Sequence, residues 1–433
     1  MKAAHYLPRV VDDELTTLLS VFGGVLIVGP KWCGKTWTGS NLSRSSLFLA
    51  DRTNGSALVQ AARTAPAALL EGATPRLIDE WQEAPELWDA VRSAIDDRGE
   101  KGQFILTGSA VPADAPVIHT GTGRIVRLIM RPMSLFESQE SNGSVSLKAL
   151  FEGLESVSAM SNLTVERLAY ALVRGGWPDA LDVADENATL VSRKYLDAVV
   201  EADISRVDGI ARNPDLVRAL LRSLARHCAT ATKTTNLRQD MAEYETALSR
   251  TSLDSYLEAL RRIFIIEDVP AWNPHLRSAS RLRKAPKRHF VDPSLATAAL
   301  RISPEQLLTN NFDTFGFLFE SLCVRDLRIY AQSLDGQIFH YRDSNDLEAD
   351  VIVQLADGRW APLEVKMGSR DFDAAARHLL ALKKEVQQGL AGTSAEASGV
   401  RQEPSFMAIL TGTPVAYRRE DGVFVLPIGC LKP

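Results

Sequence analysis

A chain of 433 residues, 45% of them hydrophobic and 24% charged, has the balance of a globular protein and exceeds one ordinary core, so two to four domains are expected. Its net charge of −5 leaves local basic patches, rather than a global field, as the route to any nucleic acid. No apolar run approaches the roughly eighteen residues of a membrane span. The four cysteines, Cys33, Cys228, Cys323 and Cys430, lie far apart without a C-x-x-C pair. Neither a disulfide scaffold nor a zinc site is expected, and the pattern fits a reducing cytoplasm. The opening Met-Lys-Ala-Ala-His-Tyr-Leu-Pro-Arg meets charge and proline too early for a signal peptide.

Residues 12–22 alternate as a short amphipathic helix that leads into Val25-Leu-Ile-Val28, the apolar run of a buried parallel strand. Gly29-Pro-Lys-Trp-Cys-Gly-Lys-Thr36 follows and fits G-x-x-x-x-G-K-[ST]. Glycines let such a loop turn tightly and point its N–H groups at phosphate oxygens. Lys35 is expected to reach the β- and γ-phosphates, Thr36 to join the Mg²⁺ shell, and the helix beginning here to add its N-terminal partial charge. ATP with Mg²⁺ is therefore expected against Gly29, Pro30, Lys31, Trp32, Cys33, Gly34, Lys35, Thr36, Trp37 and Asp79. A chance match in a glycine-rich turn is the alternative, and the neighbouring strands speak against it.

Residues 37–43 continue a helix, 46–50 read as a strand, and 57–71 are mostly helical with a break at Pro66. Arg76-Leu-Ile-Asp-Glu80 is a strand ending in acids. There Asp79 is expected to hold Mg²⁺ through water, and Glu80 to orient or deprotonate the attacking water. A helix over 85–97 leads to Gln103-Phe-Ile-Leu-Thr-Gly-Ser109, whose polar end, Ser109 above all, is placed to sense a γ-phosphate. Strand and helix alternating in this way imply a parallel sheet with crossover helices.

Arg124, Arg127 and Arg131 then surround another apolar strand, Arg124 directly after a Gly-Thr-Gly turn. An arginine finger acting in cis or on a neighbouring subunit is one expectation; a solvated strand edge is the other.

With its Gly-Pro-Lys-Trp-Cys-Gly-Lys-Thr loop, Ile-Asp-Glu-Trp-Gln, Leu-Thr-Gly-Ser and Arg-Pro-Met-Ser-Leu-Phe-Glu137, nearly the whole chain resembles the prokaryotic AAA+ ATPases that carry a C-terminal domain related to restriction endonucleases. The resemblance implies an AAA+ core, a winged-helix middle and a nuclease-like end, and no particular substrate.

Residues 142–146 are polar and mark a boundary, after which 147–209 read as helical. Gly175-Gly-Trp-Pro178 resembles a signature of the same family, and its tight turn is expected to form a helix–helix corner. Amphipathic helices over 214–227, 237–244 and 252–264, then a strand ending at Pro270, follow the order of a winged helix. Arg261 and Arg262 could meet phosphates there, although such modules often pack only against protein partners. The run 277–288 holds Arg277, Arg281, Arg283, Lys284, Lys287 and Arg288 without an acid. It is either a DNA-contacting patch or a solvated loop.

In the last segment, helix 315–332 carries Glu320, and strands 348–355 and 360–366 form a hairpin ending Leu363-Glu-Val-Lys366. Alternation puts Glu364 and Lys366 on one face, with Asp350 on the neighbouring strand. Asp…Glu-x-Lys resembles the restriction-endonuclease-like motif. The resemblance implies Mg²⁺ held by Asp350, Glu364 and Glu320, with Lys366 stabilising the attacking hydroxide. A surface hairpin with an ion pair is the alternative.

The expected organisation is an α/β P-loop AAA+ domain (1–141), a helical region (147–210), a winged helix (211–275) and a restriction-endonuclease-like α/β domain (285–433). Its partners would be ATP, DNA through the winged helix and run 277–288, no membrane, and further copies of the chain. Three functions are expected to compete: a DNA-associated ATP hydrolase, an ATP-dependent switch that recruits partners without cleavage, and an ATP-regulated nuclease.

Overall fold

The computed structural model describes residues 6–51, 53–108, 122–242, 249–274, 285–343, 347–390 and 399–433. Ser109, Gly121 and residues 277–284 of the basic run lie outside the described residues. The chain packs as two compact units, one of Met1–Pro132, Glu201–Arg212 and Ser255–Ile265, the other of Met133–Val200, Asn213–Asp254 and Ile266–Pro433.

The first unit begins with α1 (Val11–Val21), β1 (Gly24–Val28), α2 (Lys35–Leu42) and β2 (Ser45–Phe48). It continues through α3 (Gly55–Thr64), α4 (Pro66–Leu69), β3 (Arg76–Asp79), α5 (Glu86–Arg98), β4 (Phe104–Gly108) and β5 (Ile125–Ile129). The strands form one parallel sheet in the order β2-β3-β4-β1-β5. Burial on both faces explains why β1 is apolar throughout and β4 is apolar from Phe104 to Leu106. Leu26, Val28, Ile78 and Leu106 join a core with Trp88, Val91 and Ile95 of α5. Their neighbours Val25, Ile27, Leu77 and Ile105 join a second core with Val11, Leu15 and Leu19 of α1. Truncating any one of these to alanine would cost about 2–5 kcal/mol.

The second unit contains β6 (Val145–Ser146), α6 (Leu147–Phe151), β7 (Ala159–Met160), α7 (Val165–Arg174) and α8 (Ala188–Ala198). A three-residue α9 (Ile204–Arg206) belongs to the first unit. Next come α10 (Pro214–Arg226), α11 (Thr234–Ala242), α12 (Arg250–Arg262), β8 (Ile266–Val269) and β9 (Lys287–Phe290). The remainder is α13 (Pro293–Leu300), α14 (Pro304–Thr309), α15 (Phe312–Gln332), β10 (Gly336–Arg342), β11 (Glu348–Leu355), β12 (Trp360–Lys366), α16 (Phe372–Gly389), β13 (Ala408–Thr411), β14 (Val415–Arg418), β15 (Phe424–Pro427) and β16 (Leu431–Lys432). A mixed seven-stranded sheet runs β10-β11-β12-β13-β15-β14-β7, with α15 and α16 packed on it.

The middle segments, expected as separate modules, are divided between the units: the break falls inside α12, after Asp254. The second unit shows the physical cause. Helix α13 is buried from Pro293 to Ala298 and receives α7, α8 and α10 around it. A helix buried on all sides needs several covering helices, and packing against α13 ties α10 to this unit.

The family-like motifs meet in this same unit. The Met133 N–H donates to the Gly176 carbonyl at 2.6 Å, and the Gly176 N–H to Asp292 Oδ2 at 3.0 Å. Trp177 Nε1 donates to Ser294 Oγ at 3.0 Å. Arg325 bridges Asp292 at 2.9 Å and Asp326 at 2.7 Å, and Asp326 accepts the Leu135 N–H at 3.0 Å. A Cβ on Gly176 would lie 2.1 Å from the Met133 carbonyl oxygen, so only glycine allows that approach. Gly-Gly-Trp-Pro is the corner between α7 and the following turn, and with Asp292 and Asp326 it holds Met133 and Leu135 against α13 and α15.

Candidate functional site

Strand β1 ends at Val28, and the chain turns through residues 29–34 into α2. Gly29 passes so close to the neighbouring backbone that a Cβ would stand 2.0 Å from the Met130 carbonyl oxygen. Gly34 has φ 103°, which favours glycine, and immediately precedes α2. No side chain caps the first turn of α2, whereas Thr164, Asn213 and Ser303 cap other helices. The helix start therefore keeps backbone donors and its positive dipole end for an anion. Lys35 is buried, with Nζ donating to the carbonyls of Gly29 at 3.0 Å and Pro30 at 2.7 Å. Pro30, Lys31, Trp32 and Cys33 form the crown of the loop. Lys31 Nζ pairs with Asp203 at 2.6 Å, Cys33 is buried, and Trp32 and Trp37 stand about half exposed on either side of Gly34.

Parallel strands bring the acids to the same end of the sheet. Thr36 Oγ1 donates to Asp79 Oδ1 at 2.8 Å, and Thr107 Oγ1 donates to that same oxygen at 2.6 Å. The Thr107 hydroxyl in turn accepts the Glu80 N–H at 3.1 Å. Glu80 takes the left-handed conformation at φ 54°, turning the chain directly after β3, and its carboxylate accepts a hydrogen bond from Gln82 Nε2. Burial pushes the Glu80 carboxyl above its ordinary value, although Gln82 and Lys35 pull it down. Thr36, Asp79, Lys35 and Glu80 thus supply a hydroxyl, a carboxylate, an ammonium and a base within one site. This donor set fits Mg²⁺ with ATP: Thr36 and Asp79 would hold the ion, and Lys35 with the loop N–H groups would hold phosphates.

The sequence puts Thr107 in the polar end of its strand but not its contact with Asp79, because a threonine at a strand end carries no local signal of its partner. Sequence reasoning missed Arg9, which is buried and donates to the carbonyls of Cys33 at 2.6 Å and Arg131 at 2.7 Å, clamping the loop to the strand beside it. For Arg124 the structure corrects the expectation of a finger in cis. Its carbonyl accepts the Gly24 N–H at 3.0 Å, at the start of β1, and its side chain pairs with Asp96 at 2.5 Å. The phosphate loop leaves β1 at the opposite end, roughly 15 Å away at about 3.3 Å per residue. Arg131, which follows β5, is the arginine of this strand on the loop side.

In the second unit the hairpin brings Asp350, Glu364 and Lys366 together. Lys366 Nζ lies 2.6 Å from Glu364 Oε2 and 3.4 Å from Asp350 Oδ2, and the Val365 N–H donates to Asp350 Oδ2 at 2.9 Å. Glu320 on α15 does not reach them through shared space for an ion. Between Glu320 and Asp350 stands the ammonium of Lys287, 2.9 Å from Glu320 Oε1, 3.2 Å from Asp350 Oδ1 and 3.3 Å from Glu348 Oε1. Burial pushes both Glu320 and Glu364 up to about 8, with the Asp350 charge adding to the effect. Burial works the same way on Asp350, yet Lys287 and Lys366 hold it below its ordinary value. Among the described residues no group of three or more His, Cys, Asp or Glu side chains is arranged to hold a metal ion. The expected ligand set of Glu320, Asp350 and Glu364 is corrected accordingly, because lysine ammoniums lie between its members.

The basic run is corrected in part as well. Lys287 and Arg288 are buried, Arg288 donating to the Thr232 carbonyl, so neither lies on a DNA-facing surface.

Fold and site together define a P-loop nucleotide-binding module. Residues 22–139 match the family described as AAA domain, while residues 165–306 and 315–431 match two domains of unknown function, DUF8612 and DUF4143. No curated protein matches the chain. Among solved structures it is similar to the Walker-type ATPase of Pyrococcus abyssi, at 16% identity over 67% of this chain and 94% of that one, with a TM-score of 0.41. It is also similar to AMPPCP-bound DnaA from Aquifex aeolicus, at 15% identity, 58% and 86% coverage and a TM-score of 0.29. RuvB of Thermotoga maritima follows at 17% identity, 60% and 89% coverage and a TM-score of 0.27. Among the described residues no helix is long and apolar enough to cross a membrane.

Proposed function

We propose that the first unit hydrolyses ATP and that its nucleotide state governs the second unit in association with DNA. The observation that carries the hydrolytic step is the convergence of Thr36 and Thr107 on one oxygen of Asp79, with Glu80 on the next residue. Two hydroxyl donors fix the Asp79 carboxylate at the loop. Lys35 then neutralises charge developing on the transferred phosphoryl group, and Glu80 takes the proton of the attacking water. Thr36 and Asp79 would hold Mg²⁺, which would supply charge neutralisation at the phosphates. Burial raises the Glu80 pKa from its ordinary value, which makes the carboxylate a stronger base toward the attacking water.

Support for DNA is the chain order of α10, α11, α12 and the antiparallel pair β8–β9, with Arg261 and Arg262 closing α12. Measuring ATP turnover of the purified chain with and without duplex DNA tests the proposal. DNA-stimulated turnover is expected, and a rate indifferent to DNA would remove that part of it.

An ATP-dependent switch whose second unit recruits partners without cutting has one specific observation in its favour, the lysine ammonium between Glu320 and Asp350. Slow turnover with tight retention of nucleotide would select it.

A further inference from the structure

Strand β9 is buried at all four positions, Lys287 to Phe290, and its first residue is a lysine. The Lys287 side chain is only 5% exposed, and its ammonium meets three carboxylates at 2.9, 3.2 and 3.3 Å. A lysine that deep stays charged only where nearby carboxylates replace water. Here the three carboxyl groups come from two elements: Glu320 from α15, and Glu348 and Asp350 from the start of β11. Lys366 serves the other oxygen of Asp350 together with Glu364.

We infer that Lys287 is the resident cation of this cluster, occupying the place between Glu320 and Asp350 that a divalent ion would need, so that the second unit works without a metal.

The geometry leaves little choice. A magnesium ion bound by Glu320 and Asp350 would need oxygens of both at about 2.0–2.1 Å, close to where the ammonium lies. A doubly charged ion a few ångströms from an ammonium is strongly repelled in a buried site. Lys287 cannot easily withdraw, because its stem is enclosed with the rest of β9 and its exit would leave the ammonium without its three partners. The Asp…Glu-x-Lys pattern thus supplies the shape of a hydrolytic hairpin while one extra lysine closes it. This inference concerns the second unit alone and stands whether or not the first unit hydrolyses ATP.

The test is a titration of the full chain with Mn²⁺ in the absence of nucleotide, followed by the electron paramagnetic resonance of the free ion. Four proteins are compared: wild type, Glu320→Gln, Lys287→Met, and Lys287→Met combined with Glu320→Gln. Wild type and Glu320→Gln should bind Mn²⁺ alike. Lys287→Met should gain one site at least about tenfold tighter than anything in wild type, and the double variant should lose it. Ions held weakly near Thr36 and Asp79 are common to all four and cancel. Circular dichroism establishes whether the Lys287→Met protein folds; if it does not, wild type against Glu320→Gln still decides. Equal binding by those two supports the inference, and weaker binding by Glu320→Gln overturns it. A folded Lys287→Met protein that gains no ion overturns it too, as would Mn²⁺-dependent plasmid cutting by wild type that Glu320→Gln abolishes.

Discussion

The Thr107 hydroxyl donates to Asp79 Oδ1 at 2.6 Å, tying the end of β4 to the acid at the end of β3. It also accepts the Glu80 N–H at 3.1 Å, so one side chain positions both acids. Replacing Thr107 with valine keeps the shape and removes both contacts. A hydrogen bond to a charged group contributes about 1.5–3 kcal/mol, so hydrolysis should slow roughly ten- to a hundredfold. Lys35 and the loop remain, and ATP affinity should change little. A steady-state comparison of kcat with nucleotide binding checks this. Unaltered kcat in Thr107→Val would mean that Thr36 alone holds Asp79.

Lys35→Ala and Glu80→Gln should fail in different ways. The first removes the buried ammonium of the loop, so both nucleotide binding and hydrolysis are lost. The second keeps shape and hydrogen bonding but not basicity, so ATP binds normally while turnover slows. The pH profile separates them further. Burial raises the Glu80 pKa above 4.5, and a base acts only when ionised. The wild-type rate should therefore rise with pH through a limb above the ordinary glutamate range, and Glu80→Gln should lack that limb. Loss of binding in Glu80→Gln would make the acid structural.

How far the sequence revealed this site follows from what is local. The residues from Gly29 to Thr36 are contiguous, so their spacing alone defines a phosphate loop, and Asp79-Glu80 ends a strand whose apolar run is plain. Thr107 and Arg9 act across strands, through register that no single stretch displays. Arg124 misled because a glycine turn beside a strand does not say at which end of the sheet it lies; only the pairing of Ile125 with Gly24 shows that. Lys287 was read as one of a basic run, since a charge run carries no information about depth. The hairpin of β11 and β12 was readable from its alternation, but the lysine arriving from β9 was not.

Arg124→Ala should leave the hydrolysis of dilute, monomeric protein within about twofold of wild type, because the residue stands at the far end of β1 from the loop. Its exposed pair with Asp96 contributes no more than about 1 kcal/mol, so stability should barely move. An assembled form can behave differently, since a neighbour's loop could then face this edge. Mixing Arg124→Ala with Glu80→Gln protein reads that directly: recovered turnover demonstrates a finger acting between subunits and hence an oligomer. A large loss of rate in dilute Arg124→Ala would contradict the placement of the residue.

Arg325 is the residue on which the second unit's buried charges depend. It is almost fully buried, pairs with Asp292 and Asp326, and those two carboxylates accept the Gly176 and Leu135 N–H groups. Removing the arginine as Arg325→Met fills most of the volume but leaves two buried acids facing each other without a cation. Breaking a buried pair in this way costs about 3–5 kcal/mol, several times the cost of an exposed one. The loss should be local before it is global. Hydrogen exchange should quicken first at the amides of Leu135 and Gly176, which hold residues 133–141 and the Gly-Gly-Trp-Pro corner to α13 and α15. A triple variant, Arg325→Met with Asp292→Asn and Asp326→Asn, removes the uncompensated charge and should recover part of the stability while keeping amide acceptors for both N–H groups. Urea denaturation followed at the buried Trp177 indole measures the order expected: wild type most stable, the triple variant between, Arg325→Met least. If Arg325→Met unfolds within about 1 kcal/mol of wild type, or the triple variant falls below it, the network is not what joins these segments.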